Sequence, residues 1–236
     1  MTYTEAGFRE WLDAMGYIDP VRAYQRDAGL SSDGILGPQT RSALIADRAA
    51  RAEPQLRDFR GSLGPLVRFE GHRGRPYYPG GASGVTLDPG WDLANGRDAL
   101  AFELYGPIFG AVAMDALRPA FGLRGEDAAE WVEEWWSSLG RWSIERETAA
   151  RILPACAGPY WSELCRATDG LIREAPGSVQ SALLSVTYNA WSGWVRGVVL
   201  DSLRMGLWAA LADQVAAIPG GHAGRRQLEA GMIRSA

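Results

Sequence analysis

The pattern of apolar residues predicts three short helices within residues 1–46 of the chain. The first covers residues 5–15 and ends at Gly16, the second begins at Pro20, and the third follows Pro38. Between the second and third helices, residues 29–38 are rich in Gly, Ser, Asp and Pro, which is typical of a loop. The residues predicted to face inward are Phe8, Trp11, Leu12, Met15, Val21, Tyr24, Leu44 and Ile45.

A second apolar pattern begins at Leu63 and runs through the rest of the sequence. Residues 76–92 are rich in Tyr, Gly, Pro, Val and Thr, which predicts short strands joined by tight turns. Helical periodicity dominates after Asp98, and Gly and Pro residues separate the periodic segments. The clearest of these segments are residues 126–139, 145–153 and 179–188.

These patterns predict a mainly α fold of the α+β class. A small three-helix module is followed by a larger helical domain with a small β insertion near its start. The polar segment between them is rich in Arg and Ala, and we interpret it as a helical or semi-rigid linker. The predicted boundaries are residues 1–46 for the module, 47–62 for the linker and 63–236 for the larger domain.

The composition narrows the class of protein. With 236 residues, 47% of them hydrophobic and 22% charged, the chain is ordinary for a soluble globular protein. A formal net charge of −4 gives no basic footprint for nucleic acid, and no apolar run is long enough for a membrane anchor. Residues 1–5 show neither the basic nor the apolar part of a secretory signal, so we expect synthesis in the cytoplasm.

Cysteine and histidine are too scarce to suggest a metal site. Cys156 and Cys165 lie nine residues apart in a segment predicted to be helical. A disulfide between them is an open alternative, but we expect free thiols. His72 and His222 are isolated in the sequence, and no HExxH pattern is present. We therefore expect no metal and no cofactor. We also expect a monomer.

The segment Val21–Leu44 carries an aromatic–Gln pair, a Gly–Leu turn and the run Asp-Gly-x-x-Gly-Pro-x-Thr. Asp33-Gly34 suits a turn that needs a positive φ, and Gly37-Pro38 suits the start of a helix. The segment resembles the common three-helix peptidoglycan-binding domain. This resemblance implies that peptidoglycan is a partner of the chain. A small helical cap without a ligand is the alternative interpretation.

Glu70 is the candidate proton donor, because it closes a short predicted helix just before the β segment. Glycoside hydrolysis requires a carboxylic acid that stays protonated, and partial burial raises the pKa of a carboxyl group. An acidic residue is disfavoured at the C-terminal end of a helix unless something else requires it there. The alternative is a surface glutamate that ends the helix and has no chemical role.

Together with Glu70-Gly71, the run SGVTLDPGWDL at residues 83–93 resembles the phage-type lysozymes and the lysozyme domain of pesticin-like toxins. The resemblance covers about residues 63–236 and is strongest from Glu70 to Leu93. It implies that Glu70 is the general acid, and that Thr86 and Asp92 position and activate the attacking water. These residue types suit those roles, since a hydroxyl orients water and a carboxylate accepts its proton.

Two features depart from the family pattern. Many phage lysozymes place an Asp between the Glu and the Thr, but no carboxylate lies between Glu70 and Thr86 here. Only the pesticin-like arrangement, with Asp92 after the Thr, fits this sequence. Asp88 stands where the family usually has Gly, so it is an alternative base. Structural roles are also open: Asp88 could begin an Asp-Pro-Gly turn, and Asp92 could cap a helix beginning at Leu93.

Three residues are candidates for contact with the saccharide. Trp91 is predicted to stack on a sugar, whereas the Trp residues clustered within 131–142 are expected to form core. Gln180 and Asn189 lie in a segment that resembles the helix behind the cleft of these lysozymes. Their amides suit either sugar N-acetyl groups or links between helices.

The pair Arg225-Arg226 lies in a segment that resembles the closing helix of the family. The sequence leaves two roles open for these arginines, structural ion pairs or contact with the cell wall.

The resemblance implies a phage endolysin-type muramidase, which cleaves the β-1,4 bond between N-acetylmuramic acid and N-acetylglucosamine and causes bacterial lysis. It also implies synthesis in the host cytoplasm and release through a holin, although a secreted bacterial toxin would carry the same features. Two alternatives stay open. A lytic transglycosylase cleaves the same bond with a catalytic Glu and no water-activating base, and a non-catalytic wall-binding protein could share the fold.

Overall fold

The computed structural model describes residues 20–35, 37–40, 43–44, 56–190, 193–195, 197–219 and 222–236. The chain divides into two compact units. Unit 1 comprises Met1–Ala50 and His72–Ile152, and unit 2 comprises Arg51–Gly71 and Leu153–Ala236. The predicted first helix over residues 5–15 and the predicted inward position of Ile45 lie outside the described residues.

The described residues form ten α-helices and two short strands, besides helical residues at 38–40 and 43–44. In chain order they are α1 (Pro20–Asp27), α2 (Gly64–Glu70), β1 (Thr86–Leu87), β2 (Trp91–Asp92), α3 (Asp98–Phe109), α4 (Ala111–Leu117), α5 (Glu126–Glu134), α6 (Arg146–Ala167), α7 (Gly177–Ala190), α8 (Gly197–Met205), α9 (Trp208–Ala216) and α10 (Ala223–Arg234). Three 3₁₀ segments cover Arg118–Ala120, Trp136–Trp142 and Leu171–Glu174. The predicted mainly α fold with a small β insertion is therefore confirmed.

Several elements match the sequence pattern closely. The helix predicted to begin at Pro20 is α1, and Val21 and Tyr24 are buried on its inner face. Leu44 is also buried, as predicted for the helix after Pro38. The predicted strand segment contains the antiparallel pair β1–β2, in which Thr86 faces Asp92.

Helix α6 is longer than the periodic segment 145–153 predicted, because it continues through Pro154 and Pro159. A proline inside a helix removes a backbone hydrogen bond, and for this reason the pattern suggested an early end. The residues after Pro154 are nevertheless largely buried. Burial of this apolar face outweighs the local cost of the prolines, since tertiary packing supplies most of the stability of a helix in a protein.

Helix α5 is shorter than predicted, ending at Glu134 instead of continuing to residue 139. The chain then tightens into the 3₁₀ segment Trp136–Trp142. Three indoles pack together at this point, with ring centroids 5.5–5.9 Å apart between Trp131, Trp135 and Trp142. The clustered tryptophans therefore form core around Trp131 and Trp142, as expected, although Trp136 is exposed.

Unit 2 is organised around α7, which packs against α2 and α10. Every residue from Val179 to Tyr188 is buried, so the central part of this helix has no solvent face. A helix that is enclosed on all sides must also satisfy its polar side chains internally. This requirement explains the hydrogen bonds that α7 makes to neighbouring segments of unit 2.

Residues 56–62 fall in the predicted linker, but they are anchored within unit 2. The backbone N–H of Arg60 donates to Gln180 Oε1 at 2.6 Å, and that of Ser62 donates to Ser181 Oγ at 2.6 Å. The indole N–H of Trp161 donates to the carbonyl of Arg57 at 2.9 Å. This part of the chain is packed against α6 and α7. The predicted domain boundaries themselves stay a prediction.

The β hairpin of unit 1 leaves no space for a side chain at residue 84. A Cβ on Gly84 would lie 2.4 Å from Asp92 Oδ1 and 2.8 Å from the carbonyl oxygen of Leu123. Both distances are well inside van der Waals contact, and one of the two atoms belongs to the backbone. The glycine thus allows the backbone of residue 84 to lie against the Asp92 carboxylate.

We expect the substitution Gly84→Ala to lower the free energy of unfolding by about 1–3 kcal/mol, because an added methyl overpacks the hairpin. Gly106→Ala is the matched control, since a Cβ there meets nothing within 4 Å and lies in α3. That control should be neutral or stabilising by roughly 0.5–1 kcal/mol, since Ala is the better helix former. Urea unfolding followed by circular dichroism measures both. Equal stability of the two variants would contradict the prediction.

Candidate active site

Glu70 is the last residue of α2, and Gly71 follows it with a φ of 66°. The side chain of Glu70 is only 14% exposed, so it is not a surface glutamate. Its Oε1 lies 2.8 Å from Nη1 of Arg225, which donates a charge-assisted hydrogen bond from α10. Glu70, which the sequence predicted as the proton donor, is therefore mostly enclosed within unit 2 and hydrogen-bonded to one arginine.

Burial raises the pKa of the Glu70 carboxyl above its usual range, because the ionised form loses solvation. The adjacent Arg225 guanidinium acts in the opposite direction by charge and by hydrogen bonding. The Glu229 carboxylate raises the pKa of Glu70 further. Desolvation outweighs the arginine, so the protonated form of Glu70 is favoured relative to an ordinary glutamate. A general acid requires this property.

Both arginines singled out in the sequence are engaged in ion pairs. Arg225 pairs with Glu70 and Glu229, and Arg226 pairs with Glu229. The side chains of Arg225 and Arg226 are 9% and 4% exposed, so neither guanidinium lies open on the surface. The sequence left open whether these arginines form structural ion pairs or contact the cell wall, and in the structure both form ion pairs. The sequence did not identify Glu229, although its spacing of four from Arg225 is a signal for such a pair.

Thr86 and Asp92 are direct cross-strand partners in unit 1. Directly opposed residues of an antiparallel pair project from the same face with their Cβ atoms about 4.5–5.5 Å apart. The Thr86 hydroxyl is buried and donates to the carbonyl of Gly84 at 3.2 Å. The Asp92 carboxylate accepts backbone N–H groups of Gly84 at 3.2 Å and Ala94 at 2.7 Å. The hairpin therefore brings together two of the three residues assigned to catalysis.

Asp92 does not cap a helix. It belongs to β2, residues 93–97 are not helical, and α3 begins only at Asp98. The structural alternative proposed for Asp92 is therefore wrong.

Asp88 is 1% exposed and ties a loop to the hairpin. Its Oδ2 accepts the backbone N–H groups of Arg73 at 2.8 Å and Gly74 at 2.6 Å. The carbonyl oxygen of Asp88 accepts a hydrogen bond from the hydroxyl of Tyr105 at 2.9 Å. Asp88 is thus enclosed and holds the loop that follows Gly71, whereas Asp92 is partly exposed. This difference favours a structural role for Asp88.

Two of the predicted saccharide contacts are enclosed in the core. Trp91 is 0% exposed, so its ring offers no free face on which a sugar could stack. Gln180 is also 0% exposed, and its Nε2 donates to the carbonyls of Arg173 and Ala175. Its Oε1 accepts the N–H of Arg60, so the amide of Gln180 links segments of unit 2. Because both side chains are buried, their role in this structure is to stabilise the fold.

Asn189 is partly exposed near the end of α7. Its Oδ1 accepts a hydrogen bond from Nη2 of Arg226. The residue also lines a cavity of about 190 Å³ in unit 2, together with Ala190, Ile218, Pro219, His222 and Arg226. Asn189 therefore keeps access to a space that could receive a small polar group.

The N-terminal module is organised by one buried side chain, Gln25, which is 1% exposed. Its Nε2 lies 2.7 Å from Asp33 Oδ1, 2.9 Å from the carbonyl of Ile35 and 2.9 Å from Thr40 Oγ1. Its Oε1 accepts the backbone N–H of Gly34 at 2.9 Å. The residues of the sequence motif therefore converge on Gln25, which connects α1 with the loop and the following helix.

Residues 19–44 match the family model described as a peptidoglycan binding domain. No curated protein matches the chain. The match confirms the predicted binding module within the N-terminal part of the chain and supports a peptidoglycan-associated function, with peptidoglycan as a partner. It assigns no role to the residues that follow it.

Three further findings concern only the described residues. No group of His, Cys, Asp and Glu side chains among them could hold a metal ion. None of the described helices is both long and apolar enough to cross a membrane. Cys156 and Cys165 are buried free thiols on α6.

We expect Gln25→Ala to weaken binding of the full chain to purified peptidoglycan sacculi. The substitution removes the partner of the partly buried Gly34 N–H and one partner of the buried Thr40 hydroxyl, and a buried polar group left unsatisfied costs about 1–3 kcal/mol. Gln39→Ala is the matched control, since Gln39 is exposed in the same module. Co-sedimentation with sacculi measures the bound fraction. Binding that is equally strong in the two variants would show that this loop geometry is irrelevant to recognition.

Proposed function

We propose that the chain is a peptidoglycan hydrolase of the lysozyme type, which cleaves the β-1,4 bond between N-acetylmuramic acid and N-acetylglucosamine. The observation that carries the proposal is the state of Glu70. Its carboxyl is mostly buried, its pKa is raised by that burial, and one guanidinium holds it in place. A carboxyl with a raised pKa keeps its proton to higher pH than an ordinary glutamate does, and it can donate that proton to the leaving glycosidic oxygen.

The roles of the hairpin residues follow from the resemblance to lysozymes and from the register of the strands. Asp92 is proposed to accept the proton of the attacking water, and Thr86 to orient that water. The direct cross-strand pairing of these residues and the partial exposure of Asp92 support this assignment. The enclosure of Asp88, with two backbone N–H groups on one oxygen, argues against it as the base.

Binding and cleavage are assigned to different parts of the chain. The module at residues 19–44 would hold the protein on peptidoglycan, which raises the local concentration of the scissile bond. Asn189, beside the cavity in unit 2, is proposed to bind a sugar N-acetyl group through its amide. Trp91 and Gln180 are left out of this assignment because both are enclosed.

The proposal includes the biological setting that the resemblance implies. The protein would accumulate in the cytoplasm of a phage host and reach the wall through a holin. Accumulation of active protein inside intact cells, with lysis only after a pore is opened, would support this setting. Lysis without such a pore would contradict it.

We expect Glu70→Gln to reduce the rate of peptidoglycan lysis by about 10²–10⁴-fold, the contribution typical of a general acid. Glutamine keeps the size of the side chain and removes the transferable proton. Glu174→Gln is the matched control, because Glu174 is exposed in the same unit. Turbidity loss of purified sacculi measures the rate. Equal lysis by wild type and Glu70→Gln would remove Glu70 as the acid.

Mass spectrometry of the released fragments separates hydrolysis from the transglycosylase reaction. Hydrolysis adds water and leaves reducing muramic acid ends, whereas the alternative leaves anhydro-muramic acid ends. Anhydro ends would overturn the hydrolase assignment while keeping a catalytic role for Glu70. If the wild type releases no fragments at all, the chain is a wall-binding protein without this activity.

The choice between the two aspartates is tested by Asp92→Asn and Asp88→Asn. We expect Asp92→Asn to lose about 10²-fold or more in rate, since it removes the proposed base. Its loss of stability should be smaller than that of Asp88→Asn, because Asp92 is partly exposed and Asp88 is buried. Asp88→Asn should mainly lower the free energy of unfolding, because it weakens the bonds to Arg73 and Gly74. Rates at saturating substrate and urea unfolding measure the two effects. A stable but inactive Asp88→Asn variant would reverse the assignment.

A further inference from the structure

Glu229 lies on α10 with 0% exposure, and both oxygens of its carboxylate accept hydrogen bonds. Its Oε1 accepts from Nε of Arg225 at 3.0 Å and from the Ser185 hydroxyl at 2.6 Å. Its Oε2 accepts from Nη1 of Arg226. A buried carboxylate is costly unless paired and hydrogen-bonded, and this one meets both conditions.

These contacts fix the orientation of the Arg225 guanidinium. Its Nε is engaged by Glu229, and its Nη2 donates to the carbonyl and hydroxyl oxygens of Ser185 at 3.0 and 3.1 Å. Its planar group also lies over the ring of Phe69, 4.8 Å from the centroid. The planar fork is rigid, so Nη1 is the group directed at Glu70 Oε1, at 2.8 Å.

The network is neutral when Glu70 is ionised and carries one positive charge when Glu70 is protonated, and the Glu229 carboxylate keeps that excess from being larger. The network contains two guanidinium groups, Arg225 and Arg226, and two carboxyl groups, Glu70 and Glu229. If Glu229 carried no charge, Arg225 would act on Glu70 without an opposing carboxylate. The pKa of Glu70 would then be lower, which favours the ionised form over the proton donor.

We infer that Glu229 is a positioning residue, which fixes Arg225 against Glu70 and offsets its charge. The inference rests on the proposed role of Glu70 as general acid. In this arrangement Arg225 orients the carboxyl of Glu70 through a hydrogen bond, while Glu229 limits the electrostatic pull of the guanidinium. Arg226 compensates the second carboxylate and links it to Asn189.

Few other charged groups face Glu70 within the described part of unit 2. Helix α7, which packs against α2, contains no Asp, Glu, Lys, Arg or His. Helix α10 supplies Arg225, Arg226 and Glu229. On α2 itself the other charged residue is Arg68, and it is exposed. The charge balance at Glu70 within this unit is therefore set by α10.

The test is the titration of Glu70 in the full chain, followed by NMR of carboxyl carbons in selectively ¹³C-labelled glutamate. The spectrum of Glu70→Gln identifies its signal. We expect Glu229→Gln to move the Glu70 titration to lower pH, since the amide keeps a hydrogen-bond acceptor but loses the opposing charge. Arg225→Met should move it to higher pH. Glu174→Gln should leave it unchanged.

A second readout is the pH dependence of kcat/KM on soluble peptidoglycan fragments. Activity that requires protonated Glu70 is lost as pH rises through its pKa, so the alkaline limb should shift in the same directions. A purely structural role would lower stability and leave both readouts in place. Should Glu229→Gln fail to fold, Glu229→Asp keeps the charge, weakens its contact with Arg225 and should give a smaller shift to lower pH.

The inference is overturned if neither Glu229 variant moves the titration of Glu70, or if the movement is to higher pH. The NMR measurement needs no substrate, so it separates this inference from the proposed function. A shifted titration in a protein without lytic activity would support the role of Glu229 and contradict the muramidase proposal. An unshifted titration in an active enzyme would contradict the role of Glu229 and leave the muramidase proposal supported.

Discussion

The ion pairs at Arg225 hold together segments of unit 2 that are far apart in the chain. Glu70 at the end of α2, Ser185 in α7 and Glu229 in α10 all contact one guanidinium. A buried arginine with a missing partner would be strongly destabilising, so the four groups are constrained as a set. The same constraint keeps an acidic residue at a helix end, where the helix dipole alone would disfavour it.

The hairpin of unit 1 is arranged by comparable close contacts. Gly84 leaves room for the Asp92 carboxylate, and Asp92 lies opposite Thr86 across the strand pair. Asp88, which follows β1, accepts backbone hydrogen bonds from the loop after Gly71. Two aspartates four positions apart therefore differ in their surroundings. The enclosed carboxylate of Asp88 shapes the loop, whereas the carboxylate of Asp92 is partly exposed opposite Thr86.

In the N-terminal module, the residues of the sequence motif stabilise the fold. Its Gln, Asp-Gly and Thr positions meet around Gln25, whose amide satisfies the polar groups of the turn. The family match of residues 19–44 supports peptidoglycan as a partner, while the proposed chemistry depends on groups elsewhere in the chain.

Local signals in the sequence were enough to predict the elements that short-range physics controls. Pro20 begins a helix, Glu70 ends one, and the Gly- and Thr-rich run forms a strand pair, because backbone preferences act over a few residues. Only the tertiary structure decided that α6 passes through two prolines and that Trp91 and Gln180 are enclosed. It also decided which carboxylates meet Arg225. Burial and ion pairing join residues more than a hundred positions apart, and no local pattern specifies those partners.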